Sequence, residues 1–327
     1  MLPSPTVLEV KELTVEFPTA VGVVRAVDDV SFSIARGEVL GLAGESGSGK
    51  STIAHALLRV LHPSSVCRGQ VSFGGMNVLE MNPAQLRRYR WEGVSLVMQG
   101  AMNSLNPVLT IQAQIADVIR THKGGSRKDA KAAVPELLDL VGIDPARARS
   151  YPHEFSGGMR QRCVIAMALA LEPDLVVMDE PTTALDVVVQ HSIMDELDRL
   201  RERLGFSVLL ISHDLDLVAE RASRLAIMYA GALVEIGPAQ QVALAPSHPY
   251  TRALLASAMS VDGPVRQVEA LPGRVPDLIG DRTGCAFYPR CSSAQPYHEV
   301  VTPALQELTP GHQVACHLYT PAGASRE

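Results

Sequence analysis

Hydrophobic and polar positions alternate from the first residues of the chain. Val7, Glu9, Lys11 and Val15 interleave with Leu8, Val10, Leu13 and Phe17, the period of a half-buried strand. Val30-Ser31-Phe32-Ser33-Ile34 predicts a second strand. After the turn at Arg36-Gly37, the run Val39-Leu40-Gly41-Leu42-Ala43 is apolar throughout, as a strand buried on both faces requires. It feeds a glycine- and serine-rich stretch, Gly44 to Thr52, and then a helical pattern from Ile53 to Val60. Across roughly residues 103–171 the apolar spacing lengthens to three and four, and Val108 to Ile119 and Ala130 to Leu140 predict helices. Lys123 to Lys128 between them reads as a solvated, glycine-containing connector. From Asp174 strands and helices alternate: strand Leu175 to Met178, helix Gln190 to Leu204, strand Ser207 to Ile211, helix Asp214 to Arg221, strand Leu225 to Tyr229. This order predicts an α/β fold. Beyond Gly237 the chain turns proline-rich and less periodic, which predicts an appended segment rather than another αβ layer.

Composition narrows the class. Of 327 residues, 46% are hydrophobic and 20% charged, ordinary globular usage that excludes disorder and fibrous repeats. A formal charge of -6 argues against a coat for nucleic acid or for an anionic bilayer. No apolar run approaches the ~20 residues that span a bilayer; runs such as Val164 to Leu171 and Val208 to Ile211 suit core helices or strands. The start, Met1-Leu2-Pro3-Ser4-Pro5, lacks the basic and apolar stretches of a secretion signal, and five cysteines do not make a disulfide scaffold. The expected compartment is the cytoplasm.

Two motifs carry chemistry. Gly44-x4-Gly49-Lys50-Ser51 fits the P-loop pattern, and it sits between a predicted strand and a predicted helix, the context the motif needs. Its glycines let successive backbone N–H groups face a phosphate, and the helix N-terminus adds its dipole. Lys50 would neutralise the β- and γ-phosphates and the Ser51 hydroxyl would ligate Mg²⁺. A simple glycine-rich turn is the weaker reading. Downstream, Leu175-Val176-Val177-Met178 ends in Asp179-Glu180. Alone that is an acidic strand end; beside a P-loop it predicts Asp179 near the Mg²⁺ and Glu180 polarising an attacking water.

At this point the chain resembles the ATP-binding subunits of ABC transporters. Phe155-Ser156-Gly157-Gly158-Met159-Arg160-Gln161-Arg162 looks like that family's signature, with Met159 where many members carry Gln. The resemblance implies a P-loop NTPase fold of the ABC type, in which Ser156, Gly157, Gly158 and Met159 face the ATP of a partner subunit. Nucleotide contacts would come from Gly44, Ser46, Gly47, Ser48, Gly49, Lys50, Ser51, Thr52 and Asp179. Gln99 matches the Q-loop that touches the metal or water, Ala184-Leu185-Asp186 the D-loop, and His213 the switch histidine at the γ-phosphate. The implied catalytic set is Glu180, His213 and Gln99, with Mg²⁺ at Ser51, Gln99 and Asp179. Phe17 is the candidate to stack on adenine, with Pro18 to Arg25 as an insertion after it; a core phenylalanine is the other reading. Residues 1–240 would form the ATPase domain, with a helical subdomain at about 103–171, and residues 241–327 a small C-terminal extension.

The segments Val97 to Pro107, Phe155 to Arg162 and His248-Pro249-Tyr250-Thr251 are similar to the oligopeptide/dipeptide/nickel importer family. That resemblance implies ATP hydrolysis coupled to import, a second related ATPase subunit, two permeases, an extracytoplasmic binding protein and a place on the cytoplasmic face of the membrane. Peptide is the favoured solute, with nickel complex and glycoside open. A soluble ABC ATPase acting on nucleic acid or ribosomes is the competing class, disfavoured by the acidic charge and by the absence of a second ATPase module. Finally, family members often ligate a [4Fe–4S] cluster through four tail cysteines. Here Cys285, Cys291, His298 and Cys316 would form the set, with zinc or idle cysteines as alternatives and with His312 and His317 nearby.

Overall fold

The computed structural model describes residues 5–183, 185–257, 273–280 and 282–319. Its strands and α-helices run β1 (Thr6–Thr19), β2 (Gly22–Ala35), β3 (Val39–Ala43), α1 (Lys50–Leu57), β4 (Val66–Phe73), β5 (Met76–Asn77), α2 (Pro83–Arg88), β6 (Val94–Val97), α3 (Ile111–Lys123), α4 (Arg127–Leu140), α5 (Gly157–Leu169), β7 (Leu175–Asp179), α6 (Val187–Leu204), β8 (Ser207–Ile211), α7 (Leu215–Arg221), β9 (Arg224–Tyr229), β10 (Ala232–Pro238), α8 (Ala239–Leu244), α9 (Pro249–Ser257), β11 (Gln306–Thr309) and β12 (His312–Val314). The chain divides into two compact units, one of residues 1–7, 34–38 and 80–209, the other of residues 8–33, 39–79 and 210–327.

In the first unit β6 and β7 pair in parallel, Val94 with Leu175 through Val97 with Met178. All five residues of β7 are buried, which is why that strand reads as a continuous apolar run. The helical part is built on two stripes at four-residue spacing: Ile111, Ile115 and Ile119 on α3, and Ala130, Val134 and Leu138 on α4, all buried. Each large side chain so covered contributes about 1.5–3 kcal/mol. Thr110 caps α3 by accepting from the Ala113 N–H, and Ser126 caps α4 by accepting from Asp129. Pro135 lies inside α4, where it has no N–H to give the Lys131 carbonyl; the Gln112 amide of α3 donates to that carbonyl instead, at 3.2 Å. A proline that would weaken an isolated helix is thus tolerated by its neighbour.

The second unit holds a four-stranded sheet in the order β2-β1-β4-β5, and a set of strands in the order β11-β12-β10-β9-β3. β3 and β9 are parallel, while β9, β10, β12 and β11 pair antiparallel in turn. Pro18 to Arg25 forms the turn and first rungs of the β1–β2 hairpin, closed by the Thr19 hydroxyl on the Gly22 carbonyl at 2.7 Å. In the tail, β11 and β12 extend the same strands through β10. β4 was not legible in the sequence. Arg68 and Gly69 interrupt its pattern, and Gly69 sits at φ 97° where an added Cβ would lie 2.4 Å from the Glu12 carbonyl oxygen, at the irregularity of the β1–β4 register.

Candidate functional site

The phosphate loop leaves the buried strand β3 and enters α1 at Lys50. Its shape depends on glycine at two points. Gly44 has φ 148° and a Cβ there would meet the Met228 carbonyl oxygen at 2.2 Å; Gly49, at φ 103°, would meet that of Ala26 at 2.2 Å. Gly47, at φ 79°, has nothing within 4 Å of a Cβ position. Lys50 is buried, and its ammonium donates to the carbonyls of Gly44 (2.8 Å) and Glu45 (2.9 Å) and to the Ser48 hydroxyl (3.3 Å), so a cation lies across the loop. Ser46 and Ser51 are exposed, Thr52 is half-buried, and the first backbone N–H groups of α1 have no earlier helical turn to bond. The same unit carries His213, exposed beyond β8. Ser212 beside it donates its N–H to Leu42 of β3 at 3.3 Å, and its hydroxyl accepts from Asp214 at 3.0 Å. Phe17 is half-buried near the end of β1.

In the first unit, strand register explains the second constellation. Val97 pairs with Met178, so Gln99 and Glu180 both lie two residues beyond the last rung. There the Gln99 amide donates to Glu180 Oε2 at 2.7 Å, and the Thr183 hydroxyl donates to the same oxygen at 3.0 Å. Glu180 takes the left-handed backbone region, φ 49°, a conformation that costs a non-glycine residue about 1–2 kcal/mol. Asp179 is buried at the strand end, 4% exposed. Thr183 was not among the sequence candidates; its signal was its place three residues after Glu180.

The signature residues begin α5. Ser156 is the N-cap and accepts from Met159 N–H at 3.3 Å. Gly158 is required by packing, since a Cβ there would lie 2.6 Å from Val189 Cγ1 of α6. Gly157 and Met159 are half-buried, Met159 with its sulfur 3.4 Å from the Arg147 guanidinium. Asp186 caps α6, accepting from Val189 at 2.9 Å; Ala184 lies outside the described residues.

Serine hydroxyl, glutamine amide oxygen and carboxylate are each hard oxygen donors of the kind Mg²⁺ takes; Ser51 lies in the second unit, Gln99 and Asp179 in the first. For the expected cluster, the described residues of the tail show no arranged metal group. Cys285, Cys291, His298, Cys316 and His317 all border one cavity, but its volume is only about 10 Å³, room for little more than a water-sized sphere. The Nδ1 of His298 accepts from the Gln295 N–H at 3.1 Å, which puts the ring proton on Nε2 in the neutral form. Among the described residues no group of three or more His, Cys, Asp or Glu side chains is arranged to hold a metal ion. The cysteine spacing brings the residues together without making them a donor set.

Set against known proteins, residues 27–183 match the ABC transporter family, and residues 234–297 match the family described as the oligopeptide/dipeptide transporter C-terminal region. The chain is 44% identical over 313 residues to the dipeptide transport ATP-binding protein DppD of Haemophilus influenzae, covering 95% of this chain and 94% of that one. It is 42% identical to the oligopeptide transport ATP-binding protein OppD of Escherichia coli, over 94% of this chain and 92% of the other. Among solved structures it is similar to the ATP-binding cassette MJ0796 in a dimeric post-hydrolysis state bound to ADP and Pi. There the TM-score is 0.63 and the identity 26%, over 71% of this chain and 98% of that one. No helix among the described residues is long and apolar enough to cross a membrane.

Proposed function

This chain belongs to the ATP-binding subunits of ABC transporters, and from that premise we propose that it powers a peptide importer. The observation that carries the reading is the pairing of a formed phosphate loop with a tail that matches the oligopeptide/dipeptide transporter C-terminal region over residues 234–297. Residues 1–240 form the ATPase domain, with residues 103–171 as its helical part, and residues 241–327 form the importer-type extension.

The roles follow from residue chemistry. Lys50 offsets phosphate charge, and the backbone N–H groups from Gly44 to Thr52 bind phosphate oxygens. Glu180 accepts a proton from the attacking water, while Gln99 and Thr183 hold its carboxylate by the hydrogen bonds described above. His213 reads the γ-phosphate and Phe17 stacks on adenine. Mg²⁺, when held by Ser51, Gln99 and Asp179, supplies charge neutralisation to the phosphates. One P-loop and one signature occur in the sequence, so Ser156 to Met159 serve the ATP of a second, related ATPase subunit, and its signature serves this chain's ATP. Two permeases receive the closing motion through the segment Gln99 to Pro107, and an extracytoplasmic binding protein delivers the solute.

The test is reconstitution in vesicles of the chain with the second ATPase, the permeases and the binding protein. ATP-dependent uptake of labelled di- or oligopeptides is expected. ATP hydrolysis stimulated by a nickel complex or a glycoside, with none by peptides, would replace the substrate class.

A further inference from the structure

The second residue of the phosphate loop is an acid. Glu45 follows Gly44 directly, and its own carbonyl already accepts the Lys50 ammonium at 2.9 Å. A carboxylate in a loop whose task is to bind a polyphosphate works against that task, because like charges at close range repel. The structure shows what answers it. Arg290, 245 residues further along the chain, grips Glu45 with both guanidinium nitrogens, Nη1 to Oε2 at 2.8 Å and Nη2 to Oε1 at 3.0 Å. This is the two-pronged geometry that makes arginine–carboxylate pairs strong. The Arg290 side chain is only 4% exposed, so solvent screens the pair weakly.

The grip is itself built. Arg290 also donates to the Tyr229 hydroxyl at 3.2 Å, and its guanidinium lies 5.7 Å from the Tyr229 ring centre and 5.9 Å from that of Phe287. Tyr229, Tyr250 and Phe287 pack on one another with ring centres 4.5 to 5.5 Å apart. From that cluster the Tyr250 hydroxyl accepts the backbone N–H of Glu45 at 2.9 Å. Glu45 is therefore held at its main chain by Tyr250 and at its side chain by Arg290, both from the tail.

We propose that Arg290 is a positioning residue of the nucleotide site, which neutralises Glu45 and fixes it away from the bound phosphates. The tail thereby becomes part of the ATP-binding machinery. This rests on the ATP-binding reading above. Without Arg290 the loop presents a half-buried, unneutralised carboxylate to ATP, and affinity falls.

The experiment measures Mg·ATP and Mg·ADP binding by calorimetry on the full chain in complex with its partner ATPase, for the wild type, Arg290→Ala and Arg290→Ala with Glu45→Gln. Arg290→Ala is expected to weaken ATP binding at least about tenfold. Because the cause is charge, the loss is smaller for ADP and shrinks at high salt. The double variant, with the acid gone, binds ATP more tightly than Arg290→Ala alone. Unchanged ATP affinity in a folded Arg290→Ala protein would overturn the proposal, as would a loss that salt and Glu45→Gln leave untouched. Should Arg290→Ala fail to fold, Arg290→Gln alone is compared with Arg290→Gln paired with Glu45→Gln, and the uncharged pair must bind more tightly. A wild-type complex that does not bind ATP would instead sink the ATPase reading.

Discussion

Mild acid should destabilise this protein through one buried ring. His248, just before α9, is 1% exposed, and burial, aided by the Arg252 guanidinium, lowers its pKa from 6.5 to about 3 against a small opposing effect of the Ala315 backbone. Its neutral Nδ1 accepts the Tyr250 backbone N–H at 3.0 Å, and the His248 backbone N–H donates to the buried Glu235 carboxylate at 2.9 Å. Unfolding returns the ring to its ordinary pKa, so between these two values the unfolded chain binds a proton that the folded chain does not. Stability from this group is therefore complete above the unfolded value and falls as the pH drops below it. From pH ~7.5 to pH ~5.5 the loss is about 1.4 kcal/mol, and it continues at about 1.4 kcal/mol per unit until the folded ring itself protonates. The comparison is urea denaturation at both pH values for the wild type and His248→Asn, whose side-chain oxygen can still accept from Tyr250 without titrating. The variant starts less stable because it packs less well, but it should lack this part of the pH dependence. If wild type and variant lose the same free energy on acidification, the burial argument is wrong.

Three further outcomes test the site. Glu180→Gln should cut ATP turnover in the assembled complex by ~10²–10⁴-fold while ATP still binds, and near-normal turnover would remove Glu180 as the base; Lys50→Ala should instead weaken binding. Gly44→Ala forces a Cβ to within 2.2 Å of the Met228 carbonyl at φ 148°, so nucleotide affinity should collapse; calorimetric binding as tight as wild type would show that the loop tolerates a side chain. If the proposed pairing holds, the purified chain alone should hydrolyse ATP slowly, for want of a partner's signature, and turnover should rise on adding the second ATPase; full activity in isolation would contradict the paired arrangement.

What the sequence by itself determined was everything with a local period or a contiguous motif. Strands such as β3 and β7 announce themselves as short apolar runs, the helices α3 and α4 as stripes at four-residue spacing, and the phosphate loop as glycines between a strand and a helix. The signature was legible because a serine N-cap and two glycines at a helix start are adjacent residues. Tertiary structure alone decided the rest. Gln99 and Glu180 meet because two strands share a register, Gln112 fills the bond that Pro135 leaves open, and β4 exists because β1 pairs with it. Arg290 reaches Glu45 across 245 residues, with no mark in either segment to announce it. The tail cysteines show the converse: their spacing was plain, but a donor set also needs side-chain direction and room, and the described residues show no arranged metal group. The physical reason is the same in each case, because local propensity is written in neighbouring residues while charge pairing, ligation and strand partnership depend on distances that exist only after the chain has folded.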